Sequence, residues 1–363
     1  MRQNWIRHFE LQLLNNNGVG VNLSDFKVTF KIEWHDINQP RIATYIKIYN
    51  LSSDTTNNII GKEYSKIRII AGYSGIAPEV DASQVGVIRP VDPTQSGQRD
   101  GQNFGMIFSG DIRFAITGRD NPTDTFVLIQ AIDGHNAFIN STISVSLAAG
   151  YTLEDEYNIL VNNLAPFGIV SGFRPAFPLS RSPRGRVFHG MTRDYLDNIA
   201  NQCKASWQFV DGRLDMVPKD QAVHPAIVLN SQNGLIGMPQ QTMGQRVNVR
   251  CLINPNIRLN GLIQLDQASI YRIELPEDAI RAAKNKIGSV ETNGIITTDL
   301  PTTNSDSNSE NRPASLATDG VYIVRSITIT GDTRGQAWYM DMMCQARGSR
   351  GKVNDSILLK TGA

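Results

Sequence analysis

The sequence is short of cysteine, carries no excess of either charge and has no long hydrophobic run. Its three cysteines, Cys203, Cys251 and Cys344, lie far apart in 363 residues. An odd number at that spacing leaves out a disulfide framework and a paired-cysteine metal or redox motif, so we read them as small core side chains. Lys+Arg number 35 and Asp+Glu 34, for a net charge of +1. A dedicated nucleic-acid binder needs a basic excess to neutralise phosphates, and a polybasic membrane anchor needs one too. No stretch approaches the roughly 18 apolar residues of a spanning helix. The start, Met1-Arg2-Gln3-Asn4-Trp5, lacks the apolar run of a signal peptide. These readings place synthesis and first folding in a cytoplasm, with no stable membrane insertion.

Catalytic signatures are equally sparse. The five histidines are His8, His35, His135, His189 and His224, and no two share the i, i+4 spacing of a helical metal site. No glycine-rich loop leads into Lys-Ser or Lys-Thr. Gly72-Tyr73-Ser74-Gly75 lacks the strand, elbow and helix of a hydrolase nucleophile. Glu154, Asp155 and Glu156 fall at a helix start, where negative charge suits the helix dipole. His189, just ahead of a helix, is expected to satisfy a backbone group. Arg174, Arg181, Arg184 and Arg186 cluster in a proline-containing loop, which is either a solvated loop or a contact for an acidic neighbour or DNA. We expect no catalytic, cofactor-binding or metal-ligating residue, no cofactor and no enzymatic activity.

What the sequence has in quantity is strand pattern. In 27–34, Val28, Phe30, Ile32 and Trp34 alternate with polar residues, which puts one face on a core and one in water. Further strands are expected at 45–51, 67–73, 106–108, 111–117, 125–131, 226–229, 247–253 and 257–265, with a short helical turn at 53–60. The middle of the chain differs. Leu153, Tyr157, Leu160, Val161 and Leu164 share a helical stripe, with Thr152 and Asp155 placed to cap its start and Pro166 and Gly168 to end it. A second helix is expected at 192–204, facing inward with Leu196, Ile199, Ala200 and Cys203. Asp211-Gly212 between two alternating runs is a strong hairpin signal. A final hairpin is expected at 320–330 and 336–346. Segments 76–103 and 271–318 read as insertions, the latter with a helix at 277–287 and a polar run at 302–311.

The chain also resembles itself. Ala115-Ile116-Thr117-Gly118 and, after a turn and strand, Gln130-Ala131 match Thr328-Ile329-Thr330-Gly331 and Gln345-Ala346. Upstream, the strand pair at 28–34 and 46–48 is matched to 247–252 and 263–265, with Ile37-Asn38 and Ile253-Asn254 in the connections. The expected fold class is mainly β with a smaller α+β part. Its organisation is a first β unit at 1–148, a small α+β domain at 149–221, a second β unit at 222–346 and a tail at 347–363. Small sheets leave open edges. Two similar units per chain would let three chains present six positions in a closed ring.

Several stretches, taken in order, resemble the baseplate hub proteins of long-tailed phages, related to the late control protein D family and to the N-terminal part of type VI secretion spike proteins. They are Ile48-Tyr49-Asn50-Leu51-Ser52 with the Ile69-Ile70-Ala71-Gly72-Tyr73 strand; Phe108-Ser109-Gly110-Asp111-Ile112 leading to Gln130-Ala131-Ile132-Asp133-Gly134; and Phe188-His189-Gly190-Met191-Thr192 with Leu196-Asp197-Asn198-Ile199-Ala200 and the Trp207 hairpin. The resemblance implies two tail-tube-like β-barrel domains with an α/β domain between them. It implies a homotrimer joining a hexameric tail tube protein to a trimeric central spike protein. It further implies contacts with the tape-measure protein and baseplate wedge proteins, DNA passing through a channel, and residence in the virion. It carries over no individual functional residue. The competing reading is a carbohydrate-binding tail-tip protein that recognises a host surface. The four tryptophans, Trp5, Trp34, Trp207 and Trp338, lie in or near strand patterns, which favours core positions over an exposed aromatic platform.

Overall fold

The computed structural model describes residues 6–15, 17–74, 103–219, 221–231, 233–242, 246–265 and 320–346, with short strand segments at 290–292, 295–297 and 352–353. Of the loop expected at 76–103, only Asn103 is described, as the first residue of a strand; the rest of it, the helix expected at 277–287, the polar run 302–311 and Trp5 lie outside the described residues.

The first β unit runs β1 Arg7–Leu14, β2 Gly20–Asn22, β3 Val28–His35, β4 Ile42–Tyr49, α1 Ser53–Ile60, β5 Lys66–Tyr73, β6 Asn103–Arg119 and β7 Thr125–Ile132. Its sheet order is β3-β4-β7-β6-β5-β1-β2, with every pair antiparallel. The period-2 pattern of β3 does what it implies: Val28, Phe30, Ile32 and Trp34 are buried, and Thr29, Lys31 and Glu33 are half-buried. Each large apolar side chain so buried contributes about 1.5–3 kcal/mol.

The inserted domain contains α2 His135–Asn140, β8 Thr142–Leu147, α3 Leu153–Leu164, β9 Val170–Ser171, β10 Arg186–Met191, α4 Thr192–Gln202, β11 Ala205–Val210 and β12 Arg213–Pro218. It has its own core, in which Tyr157, Leu160, Phe188, Leu196 and Trp207 are buried. Ala137 and Ile143 belong to that core. α2 and β8, which precede the boundary expected at 149, thus bury apolar side chains in this core. Thr152 and Asp155 form the expected capping box: the Asp155 amide donates to the Thr152 hydroxyl at 3.2 Å, and the Thr152 amide donates to the Asp155 carboxylate at 2.9 Å. The β11–β12 turn has Asp211 at φ 52° and Gly212 at φ 78°, the left-handed pair that a tight hairpin needs.

The second β unit contains β13 Gln221–Ala222, β14 His224–Leu229, β15 Leu235–Thr242, β16 Arg246–Leu252, β17 Gly261–Leu265, the short pair β18 Val290–Thr292 and β19 Ile295–Thr297, β20 Val321–Asp332 and β21 Trp338–Ala346; β13 pairs with β22 Lys352–Val353. Its main strands are ordered β15-β16-β21-β20-β17-β14. Matched position by position, this is the order β3-β4-β7-β6-β5-β1. The chain is a duplication at the level of topology, with one difference: β1 is antiparallel to β5, whereas β14 is parallel to β17.

The strand matches made on sequence need correction. β16 corresponds to β4 and not to β3, and β16 and β17 each pair with other strands rather than with one another. The true counterpart of β3 is β15, whose Gly237 and Pro239 break the alternation that would reveal it. The Ile-Thr-Gly match is out by one residue. β6 carries one extra residue at Arg113 and β20 carries one at Arg325. Aligning these bulges sets Thr117 against Ile329 and Ile116 against Thr328. A one-residue slip exchanges the faces of a strand, and burial agrees: Ile329 is 4% exposed and Ile116 is 51% exposed. The Gln match is likewise one of chemistry and not of register. Gln130 lies opposite Phe114 and Gln345 opposite Ile323, yet each accepts a hydrogen bond from its bulged arginine at 3.1 Å. The strand expected over 257–265 occupies only Gly261–Leu265.

The two units fuse. β20 pairs with β3 from Ser326↔His35 to Asp332↔Thr29, making one 13-stranded sheet. Among the described residues no pairing closes either unit into a barrel.

Candidate functional site

Three parts of the chain meet at the connection between β3 and β4, residues 36–41. The meeting is polar, and it makes two knots.

Asp36 anchors the first. Its carboxylate accepts from Arg325 of β20 at 2.8 Å, from Asn260 at 3.4 Å and from the Ser206 hydroxyl of β11. Its amide donates to the Arg325 carbonyl, at the bulge, at 3.0 Å. Two residues on, Asn38 accepts from the Trp207 amide at 3.1 Å and donates to Asp197 of α4 at 2.9 Å. Gln208 donates to the carbonyls of His35 and Ile37, and the Trp34 indole donates to Gln208 at 2.5 Å. The strand β11 thus ties down the backbone of this connection.

Arg41 anchors the second. Its guanidinium is 2% exposed, stacked 5.0 Å over Trp34 and 5.3 Å over Phe108. It donates to the Ile107 carbonyl at 3.0 Å, to Asp133 at 2.9 Å and to Asp211 at 2.5 Å. The Asp211 amide donates to Asp133 at 2.9 Å, and Arg258 of the second unit donates to Asp211 at 3.3 Å. Two cations meet two carboxylates, one from each β unit and one from the inserted hairpin on the acidic side. Burial pushes Asp133 up to about 7 despite the pull of Arg41. Burial acts on Asp211 too, but Arg41 and Arg258 outweigh it and hold that carboxyl below its ordinary range. Nearby His224 is pushed down to about 4 by burial, with Arg258 and Arg213 acting the same way.

Such an arrangement fastens three units in one geometry. Asp211-Gly212 was legible as a turn; that its carboxylate also ties the turn to Arg41 was not, because the partners are 170 residues apart.

The residues singled out on sequence distribute as follows. Arg174 pairs with Glu154 at 2.7 Å and Arg186 with buried Glu156 at 3.0 Å, so half of the arginine cluster serves the start of α3. The backbone of Arg181 bridges to Thr152. At His189 it is the backbone that is tied, donating to and accepting from the Tyr195 hydroxyl, while the ring is exposed. Trp34, Trp207 and Trp338 are buried. Cys251 and Cys344 are buried and Cys203 is half-buried.

Two sheet edges stand apart from this junction. β6 extends past β5, so residues 112–119 have β7 on one side and no strand among the described residues on the other. β15 pairs only with β16 among the described residues.

This fold, a duplicated β unit around an α+β insertion, is one already seen in a prophage tail protein. The crystal structure of the 43 kDa tail protein of prophage MuSo2 from Shewanella oneidensis matches with a TM-score of 0.50 at 9% identity, covering 94% of this chain and 97% of that one. A tail protein from Neisseria meningitidis MC58 matches with a TM-score of 0.47 at 8% identity, covering 96% and 98%. A type VI secretion system component from E. coli matches with a TM-score of 0.43 at 7% identity, covering 90% and 74%. No family model matches the sequence, and no curated protein matches it.

Proposed function

We propose that this chain is a structural hub protein of a phage tail. Three copies form a ring of six β units that joins a hexameric tail tube to a trimeric central spike and leaves a channel through which DNA passes. The observation that carries this reading is the duplication: two units of one strand order, held at a fixed mutual angle by the Asp36 and Arg41 knots. A three-copy ring built from such chains offers a sixfold surface on one side and a threefold one on the other. The fold shared with a prophage tail protein supports the setting. On this reading the tape-measure protein and the baseplate wedge proteins are its other neighbours, the assembled protein resides in the virion, and its work is mechanical, with no catalytic residue and no cofactor.

The test is light scattering of the purified full chain followed by electron microscopy. A three-copy ring with a central hole is the expected result. A stable monomer that binds glycans would overturn the reading in favour of a host-surface binding protein.

A further inference from the structure

The open edge of β6 has a twin inside the same molecule. β6 and β20 are counterparts, each with a bulged arginine, each paired along one side to the next strand of its hairpin. On the other side, the first part of each pairs with a counterpart strand, β5 or β17. Beyond that point β20 is covered by β3 over seven residue pairs, Ser326↔His35 to Asp332↔Thr29. β6 has no strand there among the described residues, where its neighbour in the chain is the helix α1. The counterpart of β3 is β15, and the outer edge of β15 is the one left over.

We propose that residues 116–118 of β6 pair antiparallel with residues 240–242, the end of β15, of a second copy of this chain, repeating between chains the junction that β20 and β3 make within one. The pairing needs only a second copy; that three copies close the ring rests on the function proposed above.

The residues at the two edges fit this use. Ile116 is 51% exposed on β6. A free edge kept from pairing normally carries charge, and the residues this register sets opposite one another, Ile116-Thr117-Gly118 and Gln240-Gln241-Thr242, carry none. The Gly237-Pro239 irregularity, with Gly237 at φ 69°, interrupts any ladder at the start of β15 and confines regular pairing to its last residues. Register follows from the internal junction. Thr328↔Glu33 has its counterpart in Ile116 opposite Thr242, and Ile329↔Ile32 in Thr117 opposite Gln241. The contact is heterologous: each chain offers one β6 edge and one β15 edge. Repetition leaves neither of these two edges open only when the ring closes.

The test is a cysteine pair, Ile116→Cys with Thr242→Cys, in the full chain assembled into tails, mildly oxidised and run on a non-reducing gel. Residues opposite one another in a ladder lie within disulfide reach. The expected result is a covalent ladder of whole multiples of the chain from the double variant and none from either single variant. Tails that incorporate the double variant without a disulfide between copies overturn the pairing. Copy number separates the two readings. Three copies without the link sink the pairing alone, and the link with a different copy number upholds the pairing and sinks the three-copy ring. Should the cysteine pair fail to incorporate, Ile116→Glu decides. The side chain is exposed, so the melting temperature of the isolated chain should hold while incorporation falls at least tenfold; unchanged incorporation overturns the proposal.

Discussion

Beyond β17 the edge of β20 is covered by β3, while beyond β5 the matching edge of β6 has no strand beside it among the described residues. The side chains have followed the cover. On the core face of β20 stand Ile327 and Ile329, 1% and 4% exposed; at the matching places in β6 stand Ala115 and Thr117, half-buried and exposed. A duplication makes two copies of every edge but only one junction inside the chain. The internal junction is filled with apolar side chains and bolted by ion pairs. The external one is left to a partner and filled lightly, so that the single chain folds without depending on it.

The largest expected effect comes from unbolting the internal junction. Arg41→Met leaves Asp133 and Asp211 buried with only Arg258 against them. Removing one partner of a buried ionic cluster costs about 3–5 kcal/mol, to be read from the denaturant midpoint. A loss below about 1 kcal/mol would mean that strand pairing alone holds β20 to β3, and that the covered and open edges differ in nothing but apolar contact. Next comes Ile329→Ala, which removes a buried side chain at the covered edge. The expected loss is about 2–4 kcal/mol, with the two β units unfolding together because their sheet is continuous.

The pH dependence sharpens the same point. Asp133 titrates at about 7 in the fold against 3.8 ordinarily. The folded chain therefore takes up a proton as pH falls through 7, and this contribution is fully present below 3.8 and is lost as pH rises from there to about 7. Asp211, held low, contributes above its ordinary range and fails only in stronger acid. His224, pushed down to about 4 from 6.5, works the other way: as pH falls below 6.5 the unfolded chain protonates it first, so its contribution is lost in acid. The two slopes oppose each other below 6.5, so the measurement is the difference between the parent and Asp133→Asn. The parent's stability relative to that variant should fall from about pH 4 to pH 7, with a slope of at most about 1.4 kcal/mol per unit. A difference that does not change with pH would move the titration away from the junction.

How much of this the sequence disclosed depends on the range of the signal. Local periodicities were legible: β3 from Val28 to Trp34, the Thr152–Asp155 capping box, the Asp211-Gly212 turn. So was the existence of a repeat. Its register was not. Ile-Thr-Gly is three residues long, and the bulges at Arg113 and Arg325 shift the frame by one, which no short match can detect. β15 was missed because Gly237 and Pro239 erase its alternation. The Arg41 knot was missed because its members come from four places in the chain, and a buried arginine at the start of a strand looks like an exposed one in sequence.

The smallest effect is the most discriminating. Thr117→Ile gives β6 the residue that β20 carries at the matching place, Ile329. In the isolated chain position 117 is exposed, so stability should stay within about 0.5 kcal/mol of the parent. In the assembly the same side chain would meet β15 of the next copy, as Ile329 meets Ile32 of β3. The substitution should then tighten association between copies, about tenfold if it buries enough apolar area to contribute 1.4 kcal/mol. Sedimentation over a concentration series measures this, beside a denaturant curve on the same sample. A chain stabilised by itself would mean that a segment of its own already covers the edge, and the two edges would cease to differ. A chain unchanged alone and tighter in company would show that they differ only in whose strand arrives.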